Sequence, residues 1–395
     1  MIELAPIQRA ARQALPHFLS DLQMLVELET PSSEGEQLRP AAEHIAGWLE
    51  LMPGFETELR RHPGYAPTIV ANRAGTSPHR VLLIGHYDTV WPKGTLHDIP
   101  FSVVDGVIRG PGVLDMKAGI ATLVQALRVL DQLGTRQPTL TVVLNGDEEL
   151  GSPASRSVLF QQAIGSVATL VLEPGVGWDI KAERKGTGVF TLDVDGVEAH
   201  AGNDPERGIS AIHSLATAVL ALSKAAALEA GTSVNVGTIR GGTARNTVAG
   251  HAEALVDVRV TADEEVQRMD RLFASLPDIA APATLRVGGG WTRPPMEKTP
   301  QNTNLLATAQ RIATEFRAPL GERAVGGGSD GNLLSARGHA VLDGLGASGG
   351  GPHARSEHVL MADAADRIAL VAGIIATLAE DTEATGPCAG GPLRR

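Results

Sequence analysis

Apolar and polar positions along this chain change rhythm twice, and the changes mark its organisation. The first stretch is helical in pattern. A spacing of Ser33 to Glu36 at the head of "SSEGEQLRPAAEHIAGWLELM" predicts a capping box opening a further helix. Strands and helices then alternate. "TIVANRAG" and "RVLLIGH" read as strands, "MKAGIATLVQALRVLDQLG" as an amphipathic helix stopped by Gly134, and "TLTVVLNG" as a strand. "SRSVLFQQAI" reads as a helix and "TLVLEP" as a strand. Near-continuous apolar strands separated by helices predict an α/β fold with a mostly parallel sheet flanked by helices, since strands buried on both faces have no polar side.

Beyond about residue 184 the period becomes two. "TGVFTLDVDGVEAH", "TSVNVGTIRG" and "HAEALVDVRVT" alternate as half-buried antiparallel strands do, with helical patterns in "GISAIHSLATAVLALSKAAA" and "DEEVQRMDRLFASL". This predicts a smaller inserted α+β domain, an antiparallel sheet with two helices. The α/β pattern resumes after "TRPP", with "NTNLLATAQRIATEF", "AVLDGL" and a final helix. The expected boundaries are 1–183 and 293–395 for the two parts of the catalytic domain and 184–292 for the insert.

Composition narrows the class. A chain of 395 residues is longer than one core usually serves. A net charge of −11 without a basic patch argues against nucleic acid as a partner. The single cysteine, Cys388, rules out an internal disulfide and leaves His, Asp and Glu for any metal site. No run of 18 apolar residues occurs and the N-terminal stretch lacks a signal-type core, so no membrane span is expected and the cytoplasm is the expected location.

The candidate chemistry sits where the predicted strands end. "VLLIG" runs into His86 and Asp88, "TVVLNG" into Asp147, Glu148 and Glu149, "TLVL" into Glu173, and "AVLDGLGASGGG" leads to His353. Asp115 lies where a Gly-rich loop enters a helix. Alone, His86 would be an ordinary core histidine and Asp115 a helix cap. Together, two imidazoles and several carboxylates at one sheet end would carry large unpaired-charge costs, which a pair of divalent ions removes. Nitrogen and oxygen ligands without thiolate suit Zn²⁺, with Co²⁺ or Mn²⁺ as substitutes. Asp115 is the expected bridge between two ions. Glu148 and Glu149, pointing to opposite sides of a strand end, are expected to divide two tasks, one binding metal and the other moving a proton. Asp88, two residues after His86, is expected to hold its ring.

The segments "GHYDTVWPKGTL", "GPGVLDMKAGIA", "NGDEELGS", "LEPG", "VEAHAGNDPERG" and "GGTARNTV" resemble, in order from about residue 20 to 380, the di-zinc amidohydrolases and exopeptidases. That family includes acetylornithine deacetylase, succinyl-diaminopimelate desuccinylase, the aminoacylases and glutamate carboxypeptidase; "HYDTVWPKGTL" and "HAGNDPERG" are most similar to the glutamate carboxypeptidases of the G type. The resemblance implies two zinc ions per subunit, with His86 and Glu173 on one, Glu149 and His353 on the other, and Asp115 between them. It implies Glu148 as general acid/base, Asp88 as the residue orienting His86, and His200 as an oxyanion-stabilising histidine. It also implies a homodimer and a small N-acyl amino acid or peptide substrate. His353 precedes Glu357 by four residues, as the family pattern requires, while His358 stands where a tyrosine is usual. Lys181, Asn246, Arg259 and Arg293 fit substrate-binding positions, and an arginine fork matches a carboxylate. The loop "VGGGSDGN" is a further candidate for anion contact. The expected reaction is removal of a C-terminal glutamate-like residue, the alternative being N-acyl amino acid deacylation. A dinucleotide site is not expected, because no G-x-G-x-x-G follows the first apolar strand.

Overall fold

The structure is a computed structural model that describes residues 2–317 and 319–380, the side chain of residue 316 excepted; Cys388 lies outside them. The chain divides into two compact units. The first comprises residues 2–182, 298–324 and 329–380, and the second residues 183–297 and 325–328.

The first unit is built on a six-stranded sheet. Its strands run in the order Phe55–His62, Tyr65–Arg73, Thr139–Asn145, Arg80–His86, Ala168–Val171 and Val341–Leu342. The last four are mutually parallel, while the hairpin of the first two joins antiparallel at one edge. The sheet is therefore mixed, with a parallel majority. Thr139–Asn145 and Arg80–His86 are buried at nearly every position, which is why their sequences show no polar alternation. Helices Ala118–Gln132 and Met361–Glu380 are buried almost all round and pack on each other. Helices that are apolar on every side belong in an interior.

Register places the chemistry. Arg80–His86 lies between two parallel neighbours, with His86 opposite Asn145 and Ile84 opposite Val171. The carboxyl ends of the three strands are thus level, and the segments leaving them meet there. Glu148 and Glu149 arrive from one side of His86 and Glu173 from the other.

The second unit is a four-stranded antiparallel sheet in the order Ser233–Gly241, His251–Val260, Gly186–Asp195, Thr284–Arg293. Alternate residues of His251–Val260 are buried, and Val256, Val258 and Val260 share a core with Leu215 and Leu222 of helix Ala211–Ala225 and Met269 and Phe273 of helix Asp263–Ile279. Phe273 stacks on Phe190 with ring centroids 3.9 Å apart. The strand Thr284–Arg293 had no counterpart in the sequence pattern.

Two local expectations are corrected. Ser33 caps nothing: residues Ser32–Leu38 form a 3-10 segment broken at Gly35, and Glu36 instead accepts from the Gly64 N–H at 2.9 Å. The Gly-rich loop does not leave its amides open for an anion at Ser329–Gly331. Ser329 caps helix Asp330–Ser335, taking the Gly331 N–H, and its own N–H donates to Asn332. Among the described residues no helix is long and apolar enough to cross a membrane.

Candidate metal centre

His86 closes its strand with the ring buried. Its Nδ1 faces the main-chain oxygen of Asp88 at 3.0 Å, and the Asp88 carboxylate at 3.4 Å. A ring nitrogen committed to a carbonyl carries the proton, so Nε2 is left to face the centre. There it lies 3.2 Å from Asp115 Oδ1 and 3.3 Å from Glu173 Oε1. The Asp88 carboxylate has a wider task than the sequence suggested. One oxygen accepts the Ser32 hydroxyl at 2.8 Å and the Glu149 N–H at 3.2 Å, and the other accepts the Glu148 N–H at 3.3 Å.

Glu148 and Glu149 do not end a strand. The strand stops at Asn145, and both glutamates stand on a single 3-10 turn, Glu148–Leu150. Side-chain alternation therefore cannot separate them; the turn does. Oxygens of Glu149 and Asp115 gather with a His86 nitrogen within 4.8 Å of one another, and an oxygen of Glu148 gathers with His86 and Glu173 in a second group of the same span. Asp147 anchors the turn, accepting from the N–H groups of Ala154 at 2.8 Å and Ser155 at 3.1 Å.

Asp115 lies in one wide turn, Val113–Lys117, ahead of helix Ala118–Gln132, and the peptide bond after it is cis. Its oxygens divide between the histidines: Oδ1 faces His86, and Oδ2 lies 3.3 Å from His353 Nε2. The same His353 nitrogen is 3.2 Å from Glu149 Oε1, an atom that is buried and makes no hydrogen bond. A carboxylate oxygen buried without a donor is costly, and a cation is the partner this one lacks. Five side chains of nitrogen and oxygen ligands, one of them shared, fit a pair of divalent ions.

Electrostatics support the same reading. Burial alone would push the Asp115 carboxyl up, but bonds to His353 and His86 hold it well below the usual carboxylate range. Burial raises Glu149, against the opposing pull of the nearby His353 ring. Burial would lower the His86 ring; bonds to Asp115, Asp88 and Glu173 outweigh it and raise the ring well above the ordinary value. Asp115 and Glu149 raise His353 to about 10. Both imidazoles sit among carboxylates that stabilise positive charge, the environment a metal ion occupies. His358, by contrast, turns its Nδ1 to the Ser356 carbonyl at 2.9 Å, and its strand pairs with Arg109.

The remaining candidates are not among the clustered ligand groups. Lys181, in the first unit, donates its N–H to the Asp343 carbonyl at 2.9 Å. His200, Asn246, Arg259 and Arg293 belong to the second unit. His200 is exposed, and its Nδ1 accepts the N–H groups of Gly202 and Asn203 at 3.1 and 3.0 Å, so the ring proton sits on Nε2. Asn246 is exposed and its carbonyl accepts the Ala201 N–H. Arg259 holds Asp257 through two bonds of 2.8 and 2.9 Å and Thr187 through a third. Arg293 is buried at the end of its strand opposite Thr187. Ser32 and Glu357 are contributors without a predicted role; only the spacing of Glu357 from His353 pointed to the latter.

A family model, Peptidase family M20/M25/M40, matches residues 82–377. The chain belongs to that family. Like its relatives it is a metallo-hydrolase of the peptidase and amidohydrolase kind. Carboxypeptidase G2 of Pseudomonas sp. (strain RS-16) is 28% identical over 382 residues, covering 94% of this chain and 91% of that protein. Succinyl-diaminopimelate desuccinylase of Gluconacetobacter diazotrophicus is 30% identical over 325 residues, covering 76% and 81%. Among solved structures, aminopeptidase PepT from Bacillus cereus superposes with a TM-score of 0.78 at 22% identity, over 92% of this chain and 99% of that one. That likeness establishes the shared fold. Enzymes of the M20 family typically depend on two metal ions, in keeping with an aspartate shared between two histidines.

Proposed function

We propose that this enzyme hydrolyses the amide bond to a C-terminal glutamate-like amino acid, as a carboxypeptidase using two zinc ions per subunit. The observation that carries the chemistry is Asp115, whose two oxygens turn to two different histidines. His86 and Glu173 would hold one ion, Glu149 and His353 the other, and Asp115 both; Co²⁺ or Mn²⁺ would substitute. Bound there, a pair of divalent ions would supply an acidified water and polarisation of the scissile carbonyl.

The chain's own residues do the rest. Glu148 stands beside the ligands on a turn held by Asp88. Its carboxylate takes the proton of the attacking water and returns it to the leaving amine. His200, with its Nε2–H directed outward, donates to the carbonyl oxygen as charge builds there, a contribution of about 3 kcal/mol. Lys181, Asn246, Arg259 and Arg293 receive the carboxylates of the leaving amino acid. The arginines' planar forks suit that task, although Arg259 must share itself with Asp257. The carboxypeptidase reading draws on the likeness to carboxypeptidase G2, and the preference for glutamate on the motifs that resemble the glutamate carboxypeptidases. A homodimer completes the reading, supported by the edge strand Ser233–Gly241, which pairs on one side only.

The relatives named for deacylation, succinyl-diaminopimelate desuccinylase and acetylornithine deacetylase, support the second reading, the same chemistry on N-acyl amino acids. Zinc-loaded enzyme assayed on folate and on N-acetyl amino acids with neutral or basic side chains separates the two. Release of glutamate from folate is expected. Hydrolysis confined to the acetyl amino acids would retain the chemistry and reject the carboxypeptidase.

A further inference from the structure

Glu357 lies four residues beyond His353, and its buried carboxylate accepts four N–H groups. Oε1 takes the main-chain N–H of Leu114 at 2.8 Å and of Asp115 at 3.0 Å. Oε2 takes the N–H of Gly112 at 3.0 Å and the indole N–H of Trp91 at 2.8 Å. Its own N–H donates to the Ala354 carbonyl at 2.8 Å, closing the turn that follows His353; the turn that holds His353, at a left-handed φ of 62°, is closed by the Ala354 N–H on the Gly351 carbonyl at 3.0 Å. One side chain therefore joins the loop carrying Asp115 to the loop carrying His353.

The Asp115 loop needs that support. Gly112 is left-handed at φ 69°, and Asp115 and Met116 depart from helical angles inside their turn. The bonds that close the turn, from the Lys117 N–H to the Gly112 carbonyl at 3.1 Å and from the Ala118 N–H to the Val113 carbonyl, do not involve Asp115. Three converging amides on Glu357 hold it instead, forming a concave anion seat filled by the protein itself. Lys117, buried two residues after Asp115, has Glu357 and Glu29 as its neighbouring charges, so the glutamate is not an isolated buried anion. Glu29 in turn accepts the N–H groups of Gly94 and Leu96 at 2.9 and 3.0 Å.

We propose that Glu357 is a positioning residue of the metal centre, holding Asp115 against His353 so that the aspartate turns one oxygen to each histidine. The proposal rests on reading the five side chains His86, Asp115, Glu149, Glu173 and His353 as a metal site. It is specific to a carboxylate. Glutamine offers one acceptor oxygen and would set its amide N–H groups against two of the four donors, while aspartate keeps both oxygens but falls one methylene short.

The test uses the full chain stripped with a chelator and dialysed against Co²⁺ or Zn²⁺. Bound metal is measured at each free concentration, together with the visible spectrum of the cobalt form. Wild type taking up no metal would defeat the reading of the site itself. Given wild-type uptake, Glu357→Gln is expected to bind at least one ion about 10- to 100-fold more weakly and to alter the cobalt spectrum, with Glu357→Asp intermediate. Asp179→Asn is the control for loss of a structural carboxylate, since Asp179 accepts the Gly321 N–H and pairs with Arg323, none of them a proposed ligand. It is expected to bind as wild type. A folded Glu357→Gln with wild-type affinity and spectrum overturns the proposal. Should that variant fail to fold, Glu357→Asp decides it on the same two readouts.

Discussion

At the scale of single residues, the centre depends on neighbours doing different work. Glu148 and Glu149 are adjacent, yet it is Glu149 that has a buried oxygen without a hydrogen bond, 3.2 Å from His353. Glu148→Gln should therefore keep its full metal content while kcat falls by about 100-fold or more. Metal analysis beside the rate measurement checks both halves, and loss of metal would reassign Glu148 as a ligand. His353 gives a second prediction. In the metal-free protein its ring is raised to about 10, against 6.5 for an unperturbed histidine, chiefly by Asp115 and Glu149. A raised folded value contributes stability that is complete below pH 6.5 and is lost as the pH climbs towards 10. An ion binds only the neutral ring, so loading near pH 7 must expel the proton. Zinc titration calorimetry in buffers of different protonation enthalpy should read net proton release; heats independent of the buffer would contradict the assignment.

At the scale of elements, what the sequence made legible was what its period encodes. Strands such as Arg80–His86 announce themselves through unbroken apolar runs, and His251–Val260 through alternation. Thr284–Arg293 was silent because Gly288, Gly289 and Gly290 occupy its middle, leaving no side chains to show a period. A Cβ on Gly289 would meet the Val189 carbonyl oxygen at 2.2 Å, so the same glycines that hide the strand permit its pairing. The metal-site candidates were legible because charge after an apolar strand is anomalous. Asp88 was legible as a support of the His86 ring, but its hold on the Glu148 and Glu149 amides and the seat of Glu357 were not, since these act on main-chain amides brought close only by folding. Gly119 lies at the same kind of close approach. It opens the buried helix Ala118–Gln132, and a Cβ there would stand 1.9 Å from the Leu172 carbonyl oxygen, beside Glu173. Backbone cannot rotate aside as a side chain can. Gly119→Ala should cost about 1–3 kcal/mol, read as a lower urea midpoint, and should weaken metal binding through Glu173. A midpoint equal to wild type would show that the helix and strand end shift apart freely.

At the scale of the molecule, the two units differ in what they owe to metal. Each has its own apolar core, and the five candidate ligands and Glu148 all lie in the first unit. Ligand binding stabilises whatever part of the chain must be folded to bind, by about 2.7 kcal/mol at a free concentration one hundred times Kd. Local stabilities within one protein are separately measurable through amide exchange. Removing metal with a chelator should therefore raise exchange in Arg80–His86, Thr139–Asn145 and Ala168–Val171, the strands that end in His86 or lead into the segments carrying Glu148, Glu149 and Glu173. Helices Ala211–Ala225 and Asp263–Ile279, packed on the second unit's own sheet, should exchange at an unchanged rate. Mass-spectrometric exchange on the chelated and zinc-loaded protein reads both sets of peptides in one experiment. Protection that falls equally in both would mean that the second unit borrows its stability from the metal-bearing one. Protection unchanged in both would mean that these strand ends are held by the hydrogen bonds of Asp88, Asp147 and Glu357 alone, with the ions adding chemistry but little structure.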